Sequence, residues 1–275
     1  MKIIHSIEEL RALRQTLSSV ALVPTMGNLH DGHLSLVERA KAAADHVIVS
    51  IFVNPIQFGE NEDFGSYPRT LEADCEKLAK AGVTAVFAPS AKEMYPSGVQ
   101  SVRVVPSDIQ NELCGATREG HFNGVTTVVT KLFNIVTPDC ACFGEKDFQQ
   151  LHIIKEMVNE LNVPVEIISV PIKRDENGLA LSSRNGYLSV EEKAQAIELS
   201  ECLHTVRAAI LESDDDLRAI EQKAMDHLNA KGWQVDYLSI RDADTLAVAS
   251  ARTGNLIVLA AAKIGATRLL DNLRI

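Results

Sequence analysis

Residues 23–33 read VPTMGNLHDGH, so an apolar run closes on Pro24 and Thr25, passes through a glycine and delivers His30 and His33 three positions apart. If a strand ends at Thr25 and a helix opens near His30, the turn aims backbone N–H groups and the helix's partial positive charge beyond the strand. Both imidazoles then fall on one face of the helix entrance. Gly27 and Gly32 let the backbone approach a phosphate closely. Such a site suits negative charge developing on phosphorus, and histidine donates a proton near neutral pH. The same spacing also fits a metal pair short of a third ligand, or two unrelated surface histidines. The motif alone leaves those readings open.

Three further stretches carry chemistry. FGEKDFQQL, residues 143–151, follows a strand-like run and opens a helix. Its Lys146 is a point charge for phosphate oxygens and Asp147 a helix cap that also meets a ligand hydroxyl. A solvated, capped turn is the plainer alternative. RDENGLALSSRNGYLS, residues 174–189, offers Ser182, Ser183 and Arg184 on a loop placed to close over a triphosphate, or else an ordinary linker. In SIFVNPIQFG, residues 50–59, Asn54 and Gln57 lie just past a strand, where amides hold a small polar acid and where Asn-Pro also makes a turn.

The elements that must position these residues follow from periodicity. Residues 20–24, 47–53, 83–88, 141–144 and 165–172 are short apolar runs typical of strands buried on both faces. Between them, 34–44, 71–81, 125–136 and 148–161 have helical spacing. The alternation predicts an α/β fold, a Rossmann-like doubly wound parallel sheet. Past residue 185 the texture changes to helices at 190–211 and up to 230, then strands at 235–240 and 256–262, which predicts a smaller C-terminal α+β domain. The expected division is 1–173 for the Rossmann-like domain, 174–185 for a hinge with the Ser-Ser-Arg loop, and 186–275 for a lid domain.

Bulk properties narrow the function. The chain has 275 residues, 46% of them hydrophobic and 23% charged, enough for a sizeable core. A net charge of −10 argues against a general nucleic-acid binder. No stretch is long and apolar enough for a signal peptide or a membrane span, so a cytoplasmic protein is expected. The five cysteines form no C-x-x-C pair, so they suggest neither a disulfide framework nor a zinc site.

His-x-x-His with a later Ser-Ser-Arg loop resembles the HIGH and KMSKS signatures of the adenylyl-transferring Rossmann superfamily. VPTMGNLHDGHLSLV, SIFVNPIQFG, YPRT, REGHFNGV, ACFGEKDFQQL and GLALSSRNGYL, in that order, with IRDADTL near the C-terminus, resemble the pantoate–β-alanine ligase (pantothenate synthetase) family over nearly the whole chain. KMSKS is here LSSR, the form that the family itself shows. The resemblance implies two steps. Pantoate carboxylate attacks the α-phosphorus of Mg-ATP to give pantoyl adenylate and pyrophosphate, and β-alanine then displaces AMP.

Carried over by residue, the resemblance puts Pro24, Thr25, Met26, Gly27, Asn28 and Leu29 on ATP together with His30, Asp31, Gly32 and His33. His33 takes the proton-donor position, with His30 beside it. Gly144, Glu145, Lys146 and Asp147, with Leu181, Ser182, Ser183 and Arg184, hold ribose, base and phosphates, and Lys173 adds main-chain contact. Gln57 and Gln150 orient pantoate, with Asn54 nearby. Arg118, His121 and Asn123 receive no role beyond a wall or lid. A homodimer with no protein-bound metal and no tightly bound cofactor is implied, Mg²⁺ arriving on ATP. Two rivals stay open here: a nucleotidylyltransferase on the same fold, and an ATP-sensing module without catalysis.

Overall fold

Four successive residues of one strand, Val20, Ala21, Leu22 and Val23, lose all solvent exposure, which only a sheet covered on both faces achieves. The computed structural model describes residues 1–60, 62–98 and 100–275. The chain divides into two units, Met1–Glu145 with Ile153–Pro171, and Lys146–His152 with Ile172–Ile275.

The first unit opens with β1 (Lys2–Ile4), α1 (Ile7–Arg14), β2 (Val20–Thr25), α2 (Asp31–Lys41) and β3 (His46–Ile51). It continues with α3 (Leu71–Lys80), β4 (Ala85–Phe87), α4 (Ala91–Met94), α5 (Cys114–Thr117), α6 (His121–Val136) and β5 (Cys140–Gly144). α7 (Phe148–Glu160) begins in the second unit and continues in the first, which β6 (Glu166–Val170) completes. The six strands form one sheet in the order β1-β4-β3-β2-β5-β6. Every pairing in it is parallel. On one face Ala21, Val23 and Val49 pack with Val37 and Ala40 of α2 and Leu78 of α3.

This order decides where a ligand goes. From β2 the chain moves outward through β3 to β4, then returns to β5 on the opposite side of β2. The reversal leaves a crevice outside the carboxyl ends of β2 and β5, the usual ligand position in such sheets. Thr25 and Gly144 are the last residues of those two strands.

In the second unit α8 (Val190–Glu212) and α9 (Leu217–Ala230) cover an antiparallel sheet of β7 (Gln234–Asp242), β8 (Leu256–Ile264) and β9 (Thr267–Arg274). Its core includes Leu199, Leu203, Leu228, Trp233, Ile240 and Val258. A reciprocal cap between Ser189 and Glu192 starts α8. Residues 174–180, the first part of the segment expected to act as a hinge, form a turn. Arg174 bridges Ala180, Gly178 takes φ 93°, and Asp175 Oδ1 accepts the amides of Asn177 and Leu179. Arg174 grips the buried Asp271 of β9 through Nη1 at 2.7 Å and Nη2 at 2.8 Å. β1, α1 and β9 were not foreseen.

Candidate active site

β2 ends as Thr25 Oγ1 donates to the carbonyl of Ser50 on β3 and accepts the amide of Gly27. Gly27 sits at φ +85°, where a Cβ would lie 3.1 Å from Asp74 Oδ2 and 3.1 Å from Ile51 Cγ2. This glycine is therefore needed for the turn itself. Asp74 of α3 is fully buried and accepts the amides of Asn28 and Leu29, each at 2.8 Å. Thr70 Oγ1 donates to the same carboxylate, and Lys77 Nζ to the carbonyl of Leu29. The loop was expected to present free N–H groups to a phosphate. Those of Gly27, Asn28 and Leu29 are instead bonded within the protein, because a buried carboxylate and a threonine hydroxyl meet them first. Leu29's side chain belongs to the core.

The donors that the turn presents are imidazoles. His30 is the N-cap of α2 and its Nδ1 accepts the amide of Gly32 at 3.1 Å, while His33 Nδ1 accepts the amide of His30 at 3.3 Å. A ring whose Nδ1 accepts carries its neutral-state proton on Nε2. Both rings are thus set as Nε2–H donors, with centroids 4.2 Å apart. Gly32 lies in the first turn of the helix, and Asp31, its first residue, is exposed.

Past β3, a single 3₁₀ turn (Pro55–Gln57) carries the amides. Asn54 is buried and committed to protein partners: Nδ2 donates to Gln57 Oε1 at 2.9 Å and to the carbonyl of Gly124, and Oδ1 accepts from Tyr95 Oη. Burial raises the Tyr95 hydroxyl well above the ordinary phenol range, which keeps it a donor. Asn54 therefore supports Gln57. With Oε1 occupied, Gln57 donates from Nε2 to Met26 Sδ at 3.2 Å and keeps its second N–H on that nitrogen.

The second unit begins one residue after Glu145, at Lys146, in the 3₁₀ turn Glu145–Asp147. Lys146 is half-buried and its carbonyl accepts from Asn272 Nδ2 at 3.0 Å, which leaves the ammonium's placement to its own side chain. Asp147 is exposed, Gln149 buried and Gln150 half-buried in the first turn of α7. Leu181 donates its amide to the carbonyl of Lys173. Ser182 accepts the amide of Arg184 and so caps the 3₁₀ turn Ser183–Tyr187, with Ser183 and Arg184 half-buried. Lys146, Ala180, Ser182, Asn185 and Asp271 line one recess. Asn185 Oδ1 is buried with no hydrogen-bond partner among the described residues.

All five cysteines are buried thiols. Burial pushes Cys142 up to about 12 and Cys202 up to about 11, so neither is a thiolate nucleophile. Among the described residues no group of three or more His, Cys, Asp or Glu could hold a metal ion. Sequence reasoning missed Asp74, Tyr95 and Asp271. No local spacing marks a residue that acts across the fold.

A parallel sheet with chemically active loops at its switch point defines a Rossmann-like ligand-binding class. A sequence model of the pantoate-beta-alanine ligase family matches residues 2–274. Pantothenate synthetase of Laribacter hongkongensis is 58% identical over 275 residues, covering 100% of this chain and 99% of its own. The crystal structure of pantothenate synthetase from Thermus thermophilus superimposes with a TM-score of 0.93 at 43% identity, covering 99% of both chains. Pantoate-beta-alanine ligase from Francisella tularensis, complexed with beta-gamma ATP and beta-alanine, has a TM-score of 0.82 at 37% identity, covering 99% of this chain and 97% of its own. The chain belongs to the pantoate–β-alanine ligase family and is an enzyme of that class.

Proposed function

We propose that this ligase forms pantothenate from pantoate, β-alanine and ATP through a pantoyl adenylate. A pantoate carboxylate oxygen bonds to the α-phosphorus, the bond to the β-phosphate bridging oxygen breaks, and pyrophosphate leaves. The neutral amine of β-alanine then attacks the acyl carbon, AMP departs with the former carboxylate oxygen, and the amine's proton passes to solvent. The Francisella relative, complexed with beta-gamma ATP and beta-alanine, supports two of the three substrates.

One observation carries the reading: His30 and His33 both have Nδ1 engaged by backbone N–H groups, so two Nε2–H donors stand at the carboxyl end of β2. In the first unit these imidazoles are assigned to charge building on the α-phosphate. Gln57 is assigned to pantoate, its Nε2–H facing a carboxylate. In the second unit Lys146 and Arg184 are assigned to phosphate oxygens, Gln150 to pantoate, and Ser182, Ser183, Asp147 and Lys173 to the nucleotide. Mg²⁺ arrives on ATP, in keeping with a cation that retains much of its water shell.

The reading includes a lid role for residues 186–275, a homodimer and a cytoplasmic location. Among the described residues no helix is long and apolar enough to cross a membrane. The net charge of −10 offers no positive field for nucleic acid.

Oxygen-18 in the pantoate carboxylate tests the chemistry. Attack on the α-phosphorus delivers one labelled oxygen to AMP and none to inorganic phosphate. ADP with labelled phosphate would replace the adenylate with an acyl phosphate.

A further inference from the structure

The REGHF stretch found no role in the reading above, yet it meets the pantoate element directly. His121 is the first residue of α6 and is buried. Its Nδ1 lies 2.8 Å from the carbonyl oxygen of Gln57, and its Nε2 lies 2.9 Å from Nη1 of Arg118. A guanidinium has only donors and a carbonyl only acceptors, so one tautomer satisfies both contacts. Nε2 accepts from Arg118, and Nδ1–H donates to Gln57. Arg118 is fixed in turn by Glu62, with Nε to Oε1 at 2.6 Å and Nη2 to Oε2 at 2.7 Å. This fork-to-fork pair holds the guanidinium in plane.

The turn that receives this contact is weakly held by its own backbone. Gln57 N lies 3.5 Å from the Asn54 carbonyl, and Phe58 N lies 3.4 Å from that of Pro55. α6 supplies the missing restraint twice. Besides His121, Gly124 seats against the turn so closely that a Cβ would lie 2.3 Å from the Ile56 carbonyl oxygen and 2.6 Å from Gln57 Cα. Asn54 meanwhile bridges the Gly124 carbonyl and Gln57 Oε1. Main chain and side chain of Gln57 are therefore fixed by separate partners.

We propose that His121, held by Arg118 and Glu62, is a positioning residue for pantoate: it locks the main chain of Gln57 so that the amide set by Asn54 keeps an Nε2–H donor in register with the substrate carboxylate. The inference rests on the assignment of Gln57 to pantoate. It turns REGHF from a wall or lid into a brace behind the site.

Steady-state kinetics on the full chain test it, with KM measured separately for each substrate. His121→Ala removes one neutral hydrogen bond and is expected to raise the pantoate KM about three- to tenfold. The ATP and β-alanine KM values should stay within about twofold. His121→Asn keeps an N–H donor near the Nδ1 position and should recover most of the loss, whereas His121→Gln, which places its amide near Nε2, should not. In a Gln57→Ala background His121→Ala should add nothing to the pantoate KM. Gln57→Ala raising the pantoate KM while His121→Ala leaves it unchanged, or independent additive effects, would overturn the brace alone. Gln57→Ala without effect on pantoate would remove the assignment of Gln57, and the inference with it. Should His121→Ala fail to fold, equal pantoate KM values for the Asn and Gln variants would overturn it.

Discussion

Asp74 Oδ1 accepts the backbone N–H of Leu29 at 2.8 Å, across 45 residues of sequence. Oδ2 takes Asn28 N–H and Thr70 Oγ1–H, so one buried carboxylate shapes the turn between β2 and α2. The His-bearing helix entrance is thus preorganised from α3 before any ligand arrives, which is how fixed donors stabilise developing charge without reorganising.

Asp74→Asn tests that preorganisation. The amide keeps the shape but turns one acceptor into a donor facing a backbone or hydroxyl donor. The variant should lose about 1–3 kcal/mol of stability, the cost of leaving buried groups unsatisfied. Its ATP KM should rise with it. Calorimetry with ATP-dependence kinetics checks both, and an unchanged melting temperature would mean that the turn holds without the carboxylate.

Glu62 gives a pH prediction. Burial pushes its carboxyl up, but the hydrogen bonds and charge of Arg118 outweigh this and hold it below 4.5. A carboxylate depressed in the folded state contributes stability that is fully present above the unfolded value and is lost as pH falls through the folded one. Denaturant midpoints of the wild type should therefore drop on the acid side of 4.5 more steeply than those of Glu62→Gln. Parallel curves would show that Glu62 does not couple protonation to folding.

Lys146→Ala should leave the fold intact, because the residue touches Asn272 through its main-chain carbonyl, which alanine retains. Losing one charge that acts on the transition state costs about 2.7–4 kcal/mol, or roughly 100- to 1,000-fold in rate. Single-turnover formation of the adenylate measures it. Near wild-type turnover in a folded variant would take Lys146 out of the site.

The strands and long helices were legible because burial on two faces writes itself as continuous apolar runs, as in β2, and amphipathic helices as periodic ones. β9 was not, since TRLLDNLR mixes charges into a strand whose buried Asp271 is paired with Arg174. Motif residues such as His30, His33 and Gln57 could be picked out by local spacing. Asp74, Tyr95 and His121 could not be given their parts, because each acts on main chain or side chain brought near by the fold. The same limit misjudged the loop amides. Sequence marks a glycine turn, but only packing reveals that a distant carboxylate already takes its N–H groups.

The two histidines allow the half-reactions to be separated. If pantoate is activated before the amine enters, labelled pyrophosphate should exchange into ATP with pantoate present and β-alanine absent. His33 Nδ1 accepts the amide of His30, so its Nε2 carries the neutral ring's proton, the donor assigned in the proposed function to charge building on phosphorus. His33→Ala removes that donor and also one partner of the reciprocal cap that opens α2, so the variant combines a lost transition-state contact with a loosened helix entrance. His33→Asn separates the two effects, because its short amide still caps the amide of His30 but cannot reach where Nε2 stood. Exchange should fall strongly in both variants, by about 100-fold or more for a lost transition-state donor. Supplied with presynthesised pantoyl adenylate, both should keep much more of their amide-forming activity, since the leaving group is already in place and the attacking amine needs little help at phosphorus. Equal loss in both half-reactions would move His33 from activating the α-phosphate to holding the adenylate throughout.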